Sequence, residues 1–189
     1  MRRRELVAGV ASAAAIGGAA LFAAGATPTG IGGSDDAGDP TASDEGTETV
    51  EPMTIDTIEA PGSRDGEVAV PASDRPTFVD FFGTWCPPCV EQMPALGDAN
   101  DRVGDRVLFV SVTTEAVGRS VTEAEIAEWW TEHDGGWLVG ADPTAELAAR
   151  ANVSGYPTAA VIDAAGRLRW SESGIHTADE LVAEIEAVL

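Results

Sequence analysis

The two cysteines of this 189-residue chain stand three apart, in Gly83-Thr84-Trp85-Cys86-Pro87-Pro88-Cys89. The chain has no other thiol, so any thiol chemistry passes through this pair. The run Thr77-Phe78-Val79-Asp80-Phe81-Phe82 leads into it and predicts a strand, with a helix beginning at the dipeptide between the cysteines. Proline is tolerated in the first helical turn, where its missing N–H would be unsatisfied anyway. Cys86 would then face the positive end of a helix, where a thiolate is stabilised and its pKa can fall to roughly 3.5–7.5. Such a thiolate attacks a partner's disulfide and forms a mixed disulfide, which Cys89 resolves by attacking Cys86. Two other uses of the pair are weaker. A structural staple across so short a loop removes little unfolded-state entropy. A zinc site would have only the scattered His133 and His176 to add, short of four ligands unless subunits share them.

Asp80 is the one acid in a strand otherwise apolar on both sides of it. A carboxyl buried there has a raised pKa and could exchange a proton with Cys89, directly or through water. The alternation Val79-Asp80-Phe81 also allows a solvated position. Trp85 reads as a partly exposed lid beside Cys86, whereas Trp129, Trp130, Trp137 and Trp170 read as packing. Glu91 and Glu115 could lie near the site, but nothing in their spacing separates them from solvated surface acids.

These residues need a scaffold, and the pattern supplies one. Met53–Ile58 and Glu67–Val70 are short strands, and the continuous apolar run over Arg106–Val112 is a central parallel strand. Val90 to about Arg102 is helical with Pro94 inside it, and Ser120 or Thr122, each with Glu three residues on, starts a helix through Trp130. Trp137–Val139 is a short strand, and Asp142-Pro143 reads as N-cap and first residue of a helix running to about Ala151. Thr158–Asp163, the Ala164-Ala165-Gly166 turn and Leu168–Trp170 form a hairpin. Thr177 and Glu180 cap a last helix that buries Leu181, Ile185, Val188 and Leu189. Alternating strands and helices with a final hairpin and helix give an α/β fold, a mixed sheet covered by helices.

The ends and the charge bound what the domain does. Arg2-Arg3-Arg4-Glu5-Leu6-Val7 precedes a Gly/Ala-rich apolar stretch to Ala26, a twin-arginine-type export signal, either cut near Ala24-Gly25-Ala26 or kept as a membrane anchor. Residues 27–51 are a polar, acidic tether, and 52–189 form the folded domain. The net charge is −21, from 32 Asp+Glu against 11 basic residues, all arginine. Such a surface excludes nucleic-acid binding through a basic face. It fits adaptation to molar salt, where charges more than roughly 3 Å apart are screened; an acidic protein of ordinary salt is the alternative.

With these pieces in place, the domain resembles the thioredoxin-like superfamily, and within it the TlpA/ResA-type extracytoplasmic thiol–disulfide oxidoreductases. The resemblance runs from about Ile55 to Leu189 and is most specific at Phe81–Cys89. Asp80, six before Cys86, stands where thioredoxins carry a buried acid; many TlpA-type domains have Asn there. Pro94 matches the kink of the first helix, and Asp163-Ala164-Ala165-Gly166 the hairpin turn. Gly155-Tyr156-Pro157-Thr158 stands at the family's cis-proline loop. The resemblance implies a cis Pro157 packed against Cys86 that presents backbone groups to an extended peptide, with Tyr156 bordering the groove. It implies a monomer that reduces protein disulfides, with apocytochrome c or copper-site proteins as clients and a membrane donor to re-reduce the pair. No cofactor or metal is called for. The alternatives are an oxidant that installs disulfides and a tethered module that grips Cu(I) between the cysteines. A related peroxidase would carry Thr or Ser at the position of Gly83.

Overall fold

Apolar periodicity becomes a seven-stranded mixed sheet in the computed structural model, which describes residues 48–189. The expected signal or anchor over 1–26 and the tether as far as residue 47 lie outside the described residues. In chain order the elements are β1 (Met53–Thr57), β2 (Gly66–Val70), β3 (Thr77–Phe82), α1 (Pro87–Val103), β4 (Leu108–Thr113), α2 (Glu123–Glu132), β5 (Leu138–Ala141), α3 (Glu146–Arg150), β6 (Thr158–Ile162), β7 (Leu168–Ser173) and α4 (Ala178–Glu186). The sheet order is β2-β1-β5-β4-β3-β6-β7. β3, β4 and β5 run parallel, joined through helices; β6 and β7 close one side antiparallel, and the β1–β2 hairpin closes the other.

β3 and β4 are buried at every position, as central strands covered on both faces must be. Alternate residues feed two cores. Phe78 and Phe82 join the cysteines, Met93 and Leu96 of α1, Ile126, Trp129 and Trp130 of α2 and Leu181 and Ile185 of α4. Val79 and Phe81 join Val110 and Val112 of β4 and Leu147 of α3 on the opposite face. Phe82 stacks on Trp129 and lies against Trp130, and Phe109 meets Trp137 edge-on, so three buried tryptophans pack the layer that carries the cysteines, with the half-buried Trp170 against it.

Three sequence expectations shift. Asp142-Pro143 does not open α3: the helix begins at Glu146, with Ala145 at φ 56° before it. Asp142 still caps it from outside, its carboxylate accepting the Glu146 and Ala148 N–H groups at 3.0 and 3.1 Å. Of the two candidate starts for α2, Thr122 is the cap, with a reciprocal Thr122–Glu125 box, while Ser120 bonds back to the Ala116 carbonyl. Leu189 is exposed, beyond the end of α4.

The ordered edge also starts earlier than Pro52. The Val50 N–H donates to the Gly166 carbonyl at 2.8 Å, the Leu168 N–H donates to that of Glu48 at 2.9 Å, and the Val50 side chain is buried with β6 and β7. An apolar residue inside an acidic stretch docks because its burial offsets the ordering of its neighbours. Val50→Ala should therefore lower unfolding stability by about 2 kcal/mol, read as a lower denaturant midpoint at unchanged slope. A loss under about 0.5 kcal/mol would mean that this segment adds nothing to the fold.

Candidate active site

β3 ends at Phe82 and α1 begins at Pro87, so Gly83–Cys86 must turn the chain from strand to helix. The Cys86 N–H closes this turn on the Gly83 carbonyl at 3.1 Å. Cys86 is the N-cap in extended conformation, with Pro87 and Pro88 in the first turn. Its Sγ accepts the Cys89 N–H at 3.3 Å, the place where an N-cap oxygen usually sits. Cys86 and Cys89 form a disulfide. Cys86 is only slightly the more exposed of the two, at 3% against 1%.

Trp85 is 65% exposed and stands edge-on to Tyr156, ring centres 5.8 Å apart. Its indole folds back over Gly83, where an added Cβ would come within 2.9 Å of the ring. The Tyr156–Pro157 bond is cis. Tyr156 is tied by its hydroxyl to that of Thr114, just past β4, so it is anchored rather than loose at a groove edge. Pro94 lies inside α1.

Asp80 is buried at the sheet centre and alternates with Phe78 and Phe82, on the face that looks into the cysteine layer. The solvated alternative is thus excluded by position. Its Oδ2 accepts the Ser111 hydroxyl at 2.9 Å, and the Ser111 Oγ accepts the Trp137 indole N–H, also at 2.9 Å. Burial disfavours the charged form and pushes the carboxyl up to about 7, the Ser111 bond pulling the other way.

Two side chains hold the site together: Glu115, which its spacing did not separate from a surface acid, and Gln92, which the sequence reading missed. The Glu115 carboxylate accepts the Thr84 N–H at 2.7 Å, the Thr84 hydroxyl at 2.9 Å and the Thr113 hydroxyl at 3.1 Å, which fixes the loop ahead of Cys86. Gln92, buried in α1, donates to the His176 carbonyl at 3.1 Å and accepts the His176 N–H at 2.7 Å, which ties α1 to the segment before α4. Glu91, weighed together with Glu115, is exposed on α1. His133 packs edge-on against Trp129 and His176 against Trp170. A groove beside the disulfide is lined by Thr84, Trp85, Thr114, Glu115, Val121 and Trp129, among others.

The model of the family described as Redoxin matches residues 62–189, about two thirds of the chain and all of the site. The chain belongs to the Redoxin family. Among curated relatives, the chloroplastic thioredoxin Y of Oryza sativa is 40% identical over 43 residues, covering 23% of this chain and 26% of that protein. The thiol-disulfide oxidoreductase ResA of Bacillus cereus is 23% identical over 111 residues, covering 59% of this chain and 62% of the relative. The chain thus spans about a quarter of the thioredoxins Y and under two thirds of ResA. A secreted disulfide oxidoreductase of Mycobacterium tuberculosis superposes with a TM-score of 0.57 at 19% identity, over 71% of this chain and 95% of that one. The redoxin fold here is accordingly thioredoxin-like.

With its carboxyl near 7 when folded and near 3.8 when unfolded, Asp80 binds more protons in the native state between those values. Its contribution is fully present below about pH 4 and is lost as pH rises through about 7, up to roughly 4 kcal/mol. Asp80→Asn should remove that slope and stabilise the oxidised protein at pH 8, measured by urea unfolding across pH; an unchanged slope would contradict a buried neutral carboxyl. Glu115→Ala should cost about 2 kcal/mol, because the Thr84 N–H loses its charged acceptor. It should also quicken amide exchange at Thr84 and Trp85, and equal protection in the two proteins would count against the clamp.

Proposed function

We propose that this protein is an extracytoplasmic thiol–disulfide oxidoreductase that reduces disulfides in partner proteins through Cys86 and Cys89. The observation that carries the reading is the Cys86 sulfur in the N-cap position of α1, receiving the Cys89 N–H. A thiolate formed there is stabilised by that donor and by the positive end of the helix. Cys86 attacks the client disulfide, Cys89 resolves the mixed disulfide, and Asp80 takes the Cys89 proton and later returns it to water. The loop at Tyr156 and Pro157 receives the client peptide, and Trp85 contacts it. The thiol-disulfide oxidoreductase named among the relatives supports the reaction class.

Export is supported by the paired arginines and apolar stretch of residues 1–26, and by the secreted protein among the structural neighbours. In an oxidising compartment a reductant must itself be re-reduced, so a membrane donor of electrons is part of the proposal. Apocytochrome c and copper-site proteins are the client classes that the resemblance suggests. The opposite direction, disulfide formation, uses the same sulfur chemistry and differs in potential.

A redox titration against glutathione decides between them. A potential near about −270 mV fits a reductant, and one near about −120 mV overturns that direction. In a turnover assay on a disulfide-bonded protein, Cys86→Ser should abolish activity, whereas Cys89→Ser should accumulate the mixed disulfide with the client. Full activity in Cys86→Ser would sink the assignment.

A further inference from the structure

Ser111 of β4 lies opposite Asp80 of β3 in the parallel pair and is completely buried. Its hydroxyl has two partners, Asp80 Oδ2 and the indole nitrogen of Trp137, each at 2.9 Å. An indole N–H only donates, so Ser111 Oγ is the acceptor on that side. The serine has one proton to give, and the other acceptor in reach is Asp80. Were the hydroxyl turned to accept from a protonated Asp80, its own proton would be buried without an acceptor, which costs the unmade bond.

We propose that Trp137 and Ser111 form a one-way hydrogen-bond chain that keeps Asp80 Oδ2 a permanent acceptor and leaves Oδ1 to carry the exchanged proton. The assignment rests on the proton role proposed above for Asp80. In the resolving step, Cys89 passes its thiol proton to Asp80 Oδ1 as its sulfur bonds to Cys86 Sγ. The bond from Cys86 to the client sulfur breaks with its electron pair, and the client thiolate takes a proton from water. The cysteine pair is thereby oxidised to a disulfide, and the client disulfide is reduced to two thiols. Ser111 and Trp137 touch no reacting sulfur in this step; they are positioning residues.

The surroundings leave them little competition. β4 faces Asp80 with Ser111 and β6 with Ala159, while Trp137 reaches Ser111 from the segment before β5. Among the described residues of the layer that Asp80 faces, the side chains able to titrate are Cys86 and Cys89 at the start of α1, once reduced, and the half-buried Tyr156 packed against that layer. No charged side chain shifts the carboxyl: burial raises it and the Ser111 bond opposes that rise.

The test follows the resolving step in the full chain. Stopped-flow release of the second thionitrobenzoate from protein treated with dithionitrobenzoate gives its rate against pH, and the indole resonances of the reduced protein are titrated in parallel. In the unaltered protein, the Trp137 N–H resonance should move with the rate midpoint. In Ser111→Ala, a nearly isosteric change, the midpoint should rise by roughly one to two pH units and the Trp137 resonance should stop following it. Trp137→Phe should raise the midpoint by less, and Ser111→Thr should restore it. A Ser111→Ala midpoint equal to that of the unaltered protein overturns the chain, even if Asp80→Asn abolishes the titration and so upholds the proton role. A profile untouched by Asp80→Asn overturns the proton role, and the chain falls with it.

Discussion

β3 can be neither slipped nor shortened, because it is paired on both edges and buried on both faces. A shift of one residue would send Phe78, Asp80 and Phe82 to the face that now holds Val79 and Phe81. The aromatic stack on Trp129 would be lost, and a carboxyl would enter the apolar core against α3. The strand register therefore fixes two things at once. Asp80 must look into the cysteine layer, and the chain must leave the sheet at Phe82 with three residues between it and Cys86. The rest of the site is built onto that exit.

The end of β4 is the second anchor, and it serves both halves of the site. Glu115 grips the loop before Cys86 through Thr84, and Thr114 grips the loop before Pro157 through the Tyr156 hydroxyl. These two loops come from distant parts of the chain, and neighbouring residues of one connection hold them. Gln92 adds a third tie, reading both backbone groups of His176 with its amide. A buried amide used in this way satisfies donor and acceptor together, which an apolar side chain in its place could not do.

What the sequence shows depends on how far apart the interacting partners lie. The strands, the two Thr/Glu capping boxes and the Cys-Pro-Pro-Cys helix start are local, and each appears at its expected place. The burial of Asp80 was legible as one of two alternatives, since the strand alone does not say which face is covered. Glu115 and Ser111 act on partners 31 residues away, and Gln92 on one 84 residues away, so no local pattern marks them. Trp137 read as packing, and it does pack, but its N–H also has an address in Ser111. The Asp142-Pro143 reading failed through its own strength. The aspartate does cap a helix, but Pro143 and Thr144 are spent in the turn between, and the carboxylate reaches over them.

The acidity of the chain poses a problem for a thiolate, and the helices show how it is met. α2, α3 and α4 each carry an acid in the first turn, where it lies against the positive helix end; α1 alone among the described helices carries none. Pro87 and Pro88 occupy that place instead, so the positive end of α1 stays free for the Cys86 sulfur. The many exposed carboxylates act from farther off, and salt screens them over a Debye length of about 8 Å at physiological strength and less above it. The Cys89 N–H at 3.3 Å lies inside that distance, in a buried setting that salt does not reach. On the role proposed for Cys86, its thiolate is held by the Cys89 N–H and the helix end beside it, while the net charge of −21 is left to govern solubility and approach. A surface this acidic can change with the salt of its surroundings without retuning the sulfur chemistry underneath.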